Sequence, residues 1–232
     1  MNKTIAIISI LIFLIIIFYC FSNNYKTEKI NIINDTIENK IKLIWEECNI
    51  SDVISYDIFR TAMIGYYNID NLKKKDKLII IDYSKPSTKE RFFVIDIVEK
   101  KLIYHCLVAH GKNTGENISK YFSNKSQSKK SCLGFFITAE TYYGKHGYSL
   151  KLNGIEKNIN DNARKRLIVI HGADYVSQSF IEKYGRLGRS WGCPALPNEL
   201  SKEIIDIISG GQCLFIYGND KDYLINSNYI EK

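Results

Sequence analysis

Between Lys77 and Tyr217 the chain is a series of short apolar runs of β character, each closed by a polar or glycine break. That pattern suggests a mostly antiparallel sheet. The runs are Lys77–Tyr83, Arg91–Val98, Leu102–Ala109, Gly134–Ala139, Tyr148–Leu152, Leu167–Ile170 and Cys213–Tyr217. The first is stopped by Ser84-Lys85-Pro86-Ser87, and the next two are joined by Glu99-Lys100-Lys101. Upstream the period changes to that of helices. One stripe carries Ile37, Ile41, Ile44 and Trp45 within Asn34–Cys48, and a second carries Ile58, Phe59, Ala62 and Met63 within Ser55–Tyr67. A further helix is predicted through Leu200, Ile204, Ile205 and Ile208, capped by Asn198 and ended by Gly210-Gly211. The fold class is therefore mainly β with peripheral helices. Residues 111–131 form a long polar loop, of the kind that is usually mobile or functional.

Composition removes several function classes. With 45% hydrophobic and 25% charged residues, the chain can build a core and is not a disordered polymer. The net charge of +7 comes from scattered lysines and reads as a mixed solvated surface. Lys73-Lys74-Lys75 and Lys129-Lys130 are too short to form a nucleic-acid stripe, so no nucleic-acid partner is expected. The six cysteines contain no C-x-x-C pair, which excludes a zinc ribbon or a thioredoxin-type motif. His110, His171 and Cys193 are chemically acceptable zinc ligands, but no close-spaced pair supports them. No metal and no cofactor is expected. Cys106 and Cys132 are expected to be buried or bridged, and the sequence does not pair them.

Residues 1–24 read as an export or anchor segment. Lys3 precedes an apolar run from Ile5 to Phe21, 17 residues at the lower edge of what spans a bilayer. The run ends in bulky Phe18-Tyr19-Cys20-Phe21. Neither a signal-peptidase site nor a lipidated Cys20 fits well there, which favours an uncleaved anchor over a cleaved signal. The amino terminus would stay inside and the rest of the chain outside, at the cell envelope.

Two pieces of sequence carry chemistry. His171 ends a dense apolar strand, and Cys193 sits in Arg189-Ser190-Trp191-Gly192-Cys193-Pro194. A thiol is a strong nucleophile once deprotonated, and an imidazole can supply the base. Glycines let a loop turn tightly and aim amides at a carbonyl oxygen. Pro194 has no N–H, so an oxyanion hole must draw on Trp191, Gly192 or Cys193. The competing reading is structural: cysteine is often buried, and a glycine-rich turn needs no catalysis.

The run His171-Gly172 followed by Gly188-Arg-Ser-Trp-Gly-Cys-Pro-Ala-Leu196 resembles the L,D-transpeptidase, or YkuD-like, catalytic domain. Ser131-Cys-Leu-Gly-Phe-Phe136 and Thr141-Tyr-Tyr-Gly-Lys-His-Gly-Tyr-Ser-Leu150 are similar to upstream motifs of its murein-acting branch. The resemblance covers about residues 77–218 and implies a β-sandwich or barrel. It divides the chain into an anchor (1–24), a linker with a helical lead-in (25–76), the catalytic domain (77–218) and a tail (219–232). It further implies attack by Cys193 on the bond between residues 3 and 4 of a peptidoglycan stem peptide, with release of D-Ala. An amine on a second stem, or on a protein, would then take the acyl group. Water as acceptor would make a carboxypeptidase, and an inactive wall-binding module is the reading from another class. In this resemblance His171 is the base, the carbonyl of Gly172 orients it, and Ser190 matches the loop serine. Two departures stand out: Trp191 occupies a position that is often His, and Pro194-Ala195-Leu196 stands where an arginine is common. Arg189 or Arg186 is the candidate for the missing carboxylate contact, and Trp191 either walls the cleft or simply packs. His110 is expected to face the cleft or to serve the structure. His146 is placed on a turn near the substrate entrance, and Tyr143 either lines a peptide groove or belongs to the core.

Overall fold

The computed structural model of the chain describes residues 35–230, together with Phe18, Tyr19, Phe21, Asn23 and Lys26. The expected membrane anchor (1–24) lies outside the described residues except at four of these isolated positions. Among the described residues no helix is long and apolar enough to cross a membrane. The chain divides into two compact units, Met1–Leu43 and Ile44–Lys232. In the first unit, residues 35–43 are helical and belong to α1 (residues 35–48). All that follows concerns the second unit.

Helix α2 (Tyr56–Asn68) forms where Ile58, Phe59, Ala62, Met63 and Tyr66 make one buried stripe. Trp45, in the last turn of α1, meets Tyr56 and Phe59 at ring distances of 5.6 and 5.3 Å. Gly65 lies where this stripe meets the sheet: a Cβ there would fall inside the ring of Phe135, so only glycine allows the approach.

The sheet contains β1 (Lys77–Asp82), β2 (Phe92–Asp96), β3 (Lys101–Cys106), β4 (Gly134–Gly144), β5 (Gly147–Gly154), β6 (Val169–Gly172), β7 (Ala195–Leu196) and β8 (Cys213–Tyr217). Their spatial order is β3-β2-β1-β8-β4-β5-β6-β7. Most pairings are antiparallel, while β1–β8 and β6–β7 are parallel. Strands β1, β2 and β8 are buried along nearly their whole length, which explains their continuous rather than alternating apolar sequence. The two ends of the sheet approach each other. The chain leaving β3 pairs Ala109 with Ala195 of β7 and Gly111 with Ser190, giving a nearly closed, barrel-like sheet.

Three helices complete the unit: α3 (Gln178–Tyr184), α4 (Asn198–Ile208) and α5 (Lys221–Asn226). Helix α4 buries Ile204, Ile205 and Ile208 and packs on β6. It begins one residue after Pro197, so Asn198 is its first residue rather than its cap, and the Asn198 amide donates to Asp174 instead. Helix α3 buries no residue, so it offers no apolar stripe for sequence periodicity to reveal. Beyond β8, Tyr223 and Ser227 donate to the buried Glu156 carboxyl at 3.1 and 2.7 Å. Burial raises the pKa of that carboxyl. The cysteines at 48, 106, 132, 193 and 213 are all free thiols.

Candidate active site

His171 lies within β6, paired with Ser149 of β5 on one side and Ala195 of β7 on the other. Strands on both sides fix its backbone, and its residue is almost fully buried. Its Nδ1 is 2.8 Å from the carbonyl oxygen of Gly172. A carbonyl can only accept, so Nδ1 carries the proton and Nε2 presents a lone pair. Among the described residues no protein group occupies Nε2. Burial lowers the pKa of the ring; the Gly172 contact opposes this, and the neighbouring His146 adds to it. The imidazole is therefore neutral at neutral pH. Gly172 owes its identity to packing: a Cβ there would come within 2.5 Å of Asn198 Oδ1 and 2.6 Å of Ser201 Oγ, and α4 could not seat on β6.

Cys193 stands two residues before Ala195, in the loop that leads into β7. Its side chain is half-buried. Sγ faces the carbonyl of Leu167 at 3.6 Å. Desolvation raises its pKa, while the Val169 amide and the charge of Arg166 pull the other way. The resting pair is thus a thiol and a neutral imidazole, not a preformed ion pair.

The loop is held from within by Ser190. Its Oγ donates to the Cys193 carbonyl at 2.6 Å and accepts from the Gly192 amide at 3.0 Å. Its backbone is tied to the strand-like segment opposite, with Ser190 N donating to His110 O at 3.0 Å and Lys112 N to Ser190 O at 2.7 Å. Gly192 adopts φ +126°, and a Cβ on it would lie 2.8 Å from the Lys130 carbonyl. Its amide is committed to Ser190. Among the described residues the amides of Trp191 and Cys193 have no acceptor. Beneath the loop, Ala109, Ala173, Val176, Leu187 and Ala195 form an apolar pad.

These elements enclose a cavity of about 330 Å³ lined by Lys145, His146, His171, Tyr175, Arg189, Ser190, Trp191 and Cys193. The arrangement brings a thiol, a neutral imidazole and unpaired backbone amides to one solvent-connected space. Those are the parts that acyl transfer through a thioester requires.

The sequence profile of the L,D-transpeptidase catalytic domain matches residues 51–217. The chain belongs to the L,D-transpeptidase family of enzymes. No curated protein sequence matches it. Solved structures similar to it include an L,D-transpeptidase from Mycobacterium smegmatis, with 12% identity, 62% of this chain and 59% of that chain covered, and a TM-score of 0.38. The helical cell shape determining protein Pgp2 from Campylobacter jejuni has 12% identity, 68% and 54% covered, and a TM-score of 0.44. Bd1075 from Bdellovibrio bacteriovorus has 16% identity, 63% and 50% covered, and a TM-score of 0.38. The chain spans between half and three fifths of the length of these solved chains.

Within this L,D-transpeptidase domain the residues singled out by sequence separate into two groups. His146, His171, Arg189, Ser190, Trp191 and Cys193 share the cavity. The His146 ring stacks on His171 at 4.5 Å and 22°. Trp191 is 73% exposed, with Lys129 Nζ 4.7 Å from its ring, so it is a wall of the cleft and not core packing. Tyr143 and His110 are not among the lining residues. Tyr143 is exposed on the β4–β5 hairpin against Tyr148 at 5.1 Å. The His110 ring does not face the cleft; it is sealed in the interior with Arg91 Nη2 at 2.7 Å from Nδ1 and Gly115 O at 3.1 Å from Nε2. Two lining residues, Lys145 and Tyr175, were not among the candidates drawn from the sequence. The usable signal was Gly188: a Cβ there would collide with the Tyr175 ring, so the glycine marks where that tyrosine folds over the loop.

Proposed function

We propose that this protein is a cysteine L,D-transpeptidase of the cell envelope, acting on peptidoglycan stem peptides. The observation that carries this reading is the single cavity shared by Cys193 and a His171 whose Nδ1 is held by Gly172 O, leaving Nε2 as a base. As a stem peptide binds, His171 Nε2 takes the Cys193 thiol proton while sulfur attacks the carbonyl of the third residue. A raised thiol pKa and a neutral imidazole favour this coupled transfer over attack by a standing thiolate. The amides of Cys193 and Trp191 are the free donors for the developing oxyanion, and Gly192 and Ser190 hold the turn that presents them. Collapse breaks the bond to D-Ala, whose amine takes the proton back from His171. An acceptor amine then attacks the thioester, gives its proton to His171, and the thiol is restored. Export and anchoring through the segment 1–24 would place the domain beside its polymeric substrate.

The test is incubation with a tetrapeptide stem, followed by mass spectrometry of the protein and of the products. Acyl enzyme at Cys193 and cross-linked dimers are expected. Free tripeptide alone would make the enzyme a carboxypeptidase. A folded protein with no adduct would leave only a wall-binding role. Cys193→Ser should lose nearly all turnover with its fold intact.

A further inference from the structure

The turn that enters β6 sets a guanidinium against the nucleophile loop. Arg166 N donates to Asn162 O at 2.8 Å and Ile168 N to Ala163 O at 3.0 Å, and Leu167 leaves the turn at φ +57°. The Arg166 side chain is half-buried and reaches Gly192: a Cβ on that glycine would lie 3.3 Å from Nη2. Its hydrogen bonds all go to the stretch 123–132. Nη1 donates to Ser123 O at 2.5 Å and to the Cys132 sulfur at 2.7 Å. Nη2 donates to Lys130 O at 2.7 Å and to Ser128 Oγ at 3.2 Å. These partners are neutral: two carbonyls, a hydroxyl, and a thiol that burial keeps protonated by pushing its pKa to about 11. Among the described residues no carboxylate pairs with Arg166. A guanidinium stays charged at any working pH, so an unneutralised cation stands against the turn that carries Cys193.

We infer that Arg166 is a positioning residue for acyl transfer: it clamps residues 123–132 under the Gly192 turn, and its unneutralised charge favours the negative charge that develops at Cys193. This deepens the proposed function and rests on it. The clamp acts through backbone. Lys130 O, held by Arg166 Nη2, is the atom a Cβ on Gly192 would meet at 2.8 Å, and Ser131 Oγ donates to Gly192 O at 3.2 Å. Residues 130 and 131 are therefore the floor beneath the turn, and the guanidinium fixes that floor. The charge acts through space. Desolvation opposes a thiolate at Cys193, and a cation in the same water-poor region offsets it. The titratable and charged groups around Cys193 are His171 on β6, Tyr175 beyond it, Lys145 and His146 on the β4–β5 hairpin, and Arg189 in its own loop. Cys132 and Arg166 act from outside the cavity. Arg189 is neutralised by Glu116, and Lys145 is exposed, where solvent screens it. Arg166 alone combines contact with the Gly192 turn, partial burial and no anion beside it.

The experiment follows alkylation of Cys193 by iodoacetamide across pH in the full chain, with peptide mapping to separate it from the other thiols. Arg166→Gln should move the midpoint up by about one pH unit, a roughly tenfold slower reaction at neutral pH. Arg166→Lys keeps the charge and loses the fork, so its midpoint should return towards that of the parent while its melting temperature stays lowered. Ser128→Asp sets a carboxylate beside Nη2 with the clamp kept, and should raise the midpoint at unchanged melting temperature; Ser128→Asn is its neutral control. This second variant decides the matter if Arg166→Gln does not fold. Midpoints that agree in the parent and Ser128→Asp, or a lysine variant shifted as far as the glutamine one, would overturn the inference and leave Arg166 a structural residue. Alkylation needs no stem peptide. Absence of peptide acylation alongside the expected shifts would therefore overturn the transpeptidase reading and leave the effect of the charge standing.

Discussion

Of the domain's three His-Gly pairs, two, His110-Gly111 and His171-Gly172, flank the same short strand. Ala109, one residue before His110-Gly111, bridges Ala195 of β7 from one side; His171 of His171-Gly172 pairs with Ala195 from the other. In the sequence the two are nearly equivalent, each a histidine and a glycine following an apolar run. Their surroundings give them opposite tautomers. Arg91 can only donate, so His110 Nδ1 accepts and its Nε2–H is spent on Gly115 O. At His171 the carbonyl of Gly172 takes Nδ1–H, and Nε2 stays available. Arg91 is itself fully buried, donating to Val108 O and Lys85 O and lying 4.9 Å from the Tyr83 ring. One pair is therefore a strut that holds the segment under Ser190, and the other keeps a ring nitrogen available for the base role proposed above. What separates them is whether a cation or a carbonyl sits against Nδ1.

The sharpest way to break this comparison is to exchange each ring for glutamine. His171→Gln should lower acylation by about 10²–10⁴-fold, the usual contribution of general base catalysis, with little change in melting temperature. His110→Gln should do the reverse, retaining acylation and losing stability. Single-turnover kinetics and thermal melting on both variants would show it, and equal kinetic losses would erase the distinction. Next in size is Arg91→Met, which strands the acceptors on Val108 and Lys85 and the Nδ1 of His110. A loss of about 3 kcal/mol in denaturant titration is expected.

Protonation probes the same strut. Burial, with the Arg91 charge second, lowers the His110 pKa to about 4. An unfolded histidine near 6.5 takes up a proton first, so the unfolded state binds more protons between these values. Stability is fully present above about pH 6.5 and declines as pH falls towards 4. Melting curves of His110→Gln should lose part of that slope, and an unchanged slope would show that His110 does not carry it. The smallest effect belongs to His146. Its charge depresses His171, so His146→Gln should move the acid limb of the pH–rate profile to higher pH and change the plateau rate only a few-fold.

Sequence patterning located most of the β-type runs because β1, β2 and β8 are apolar on both faces. It misjudged ends and short pieces. The third run was expected to reach Ala109 but leaves the regular ladder at Cys106 and returns as an isolated bridge. β4 runs on to Gly144 past an irregularity between Thr138 and Thr141, where alternation breaks. β7 is only two residues long, too short for any periodicity, yet it is what brings Cys193 beside β6. Helix α5 owes its place to one buried tyrosine and a distant carboxyl, which no local pattern encodes. At the site, Cys193 was legible because glycines punctuate its loop and His171 because it ends a dense apolar strand, while Ser190 came only with the family resemblance. The separation of His110 from the cavity was not, because it depends on Arg91, 19 residues away, turning inward.

The account stands on a chemical partnership between one sulfur and one ring nitrogen. Intact-protein mass spectrometry after exposure to a carbapenem, with peptide mapping of the adduct, tests that partnership most directly. A single adduct on Cys193 that forms quickly in the native protein, and far more slowly in His171→Gln, is the predicted result. An adduct on another residue, or a rate indifferent to His171, would contradict it.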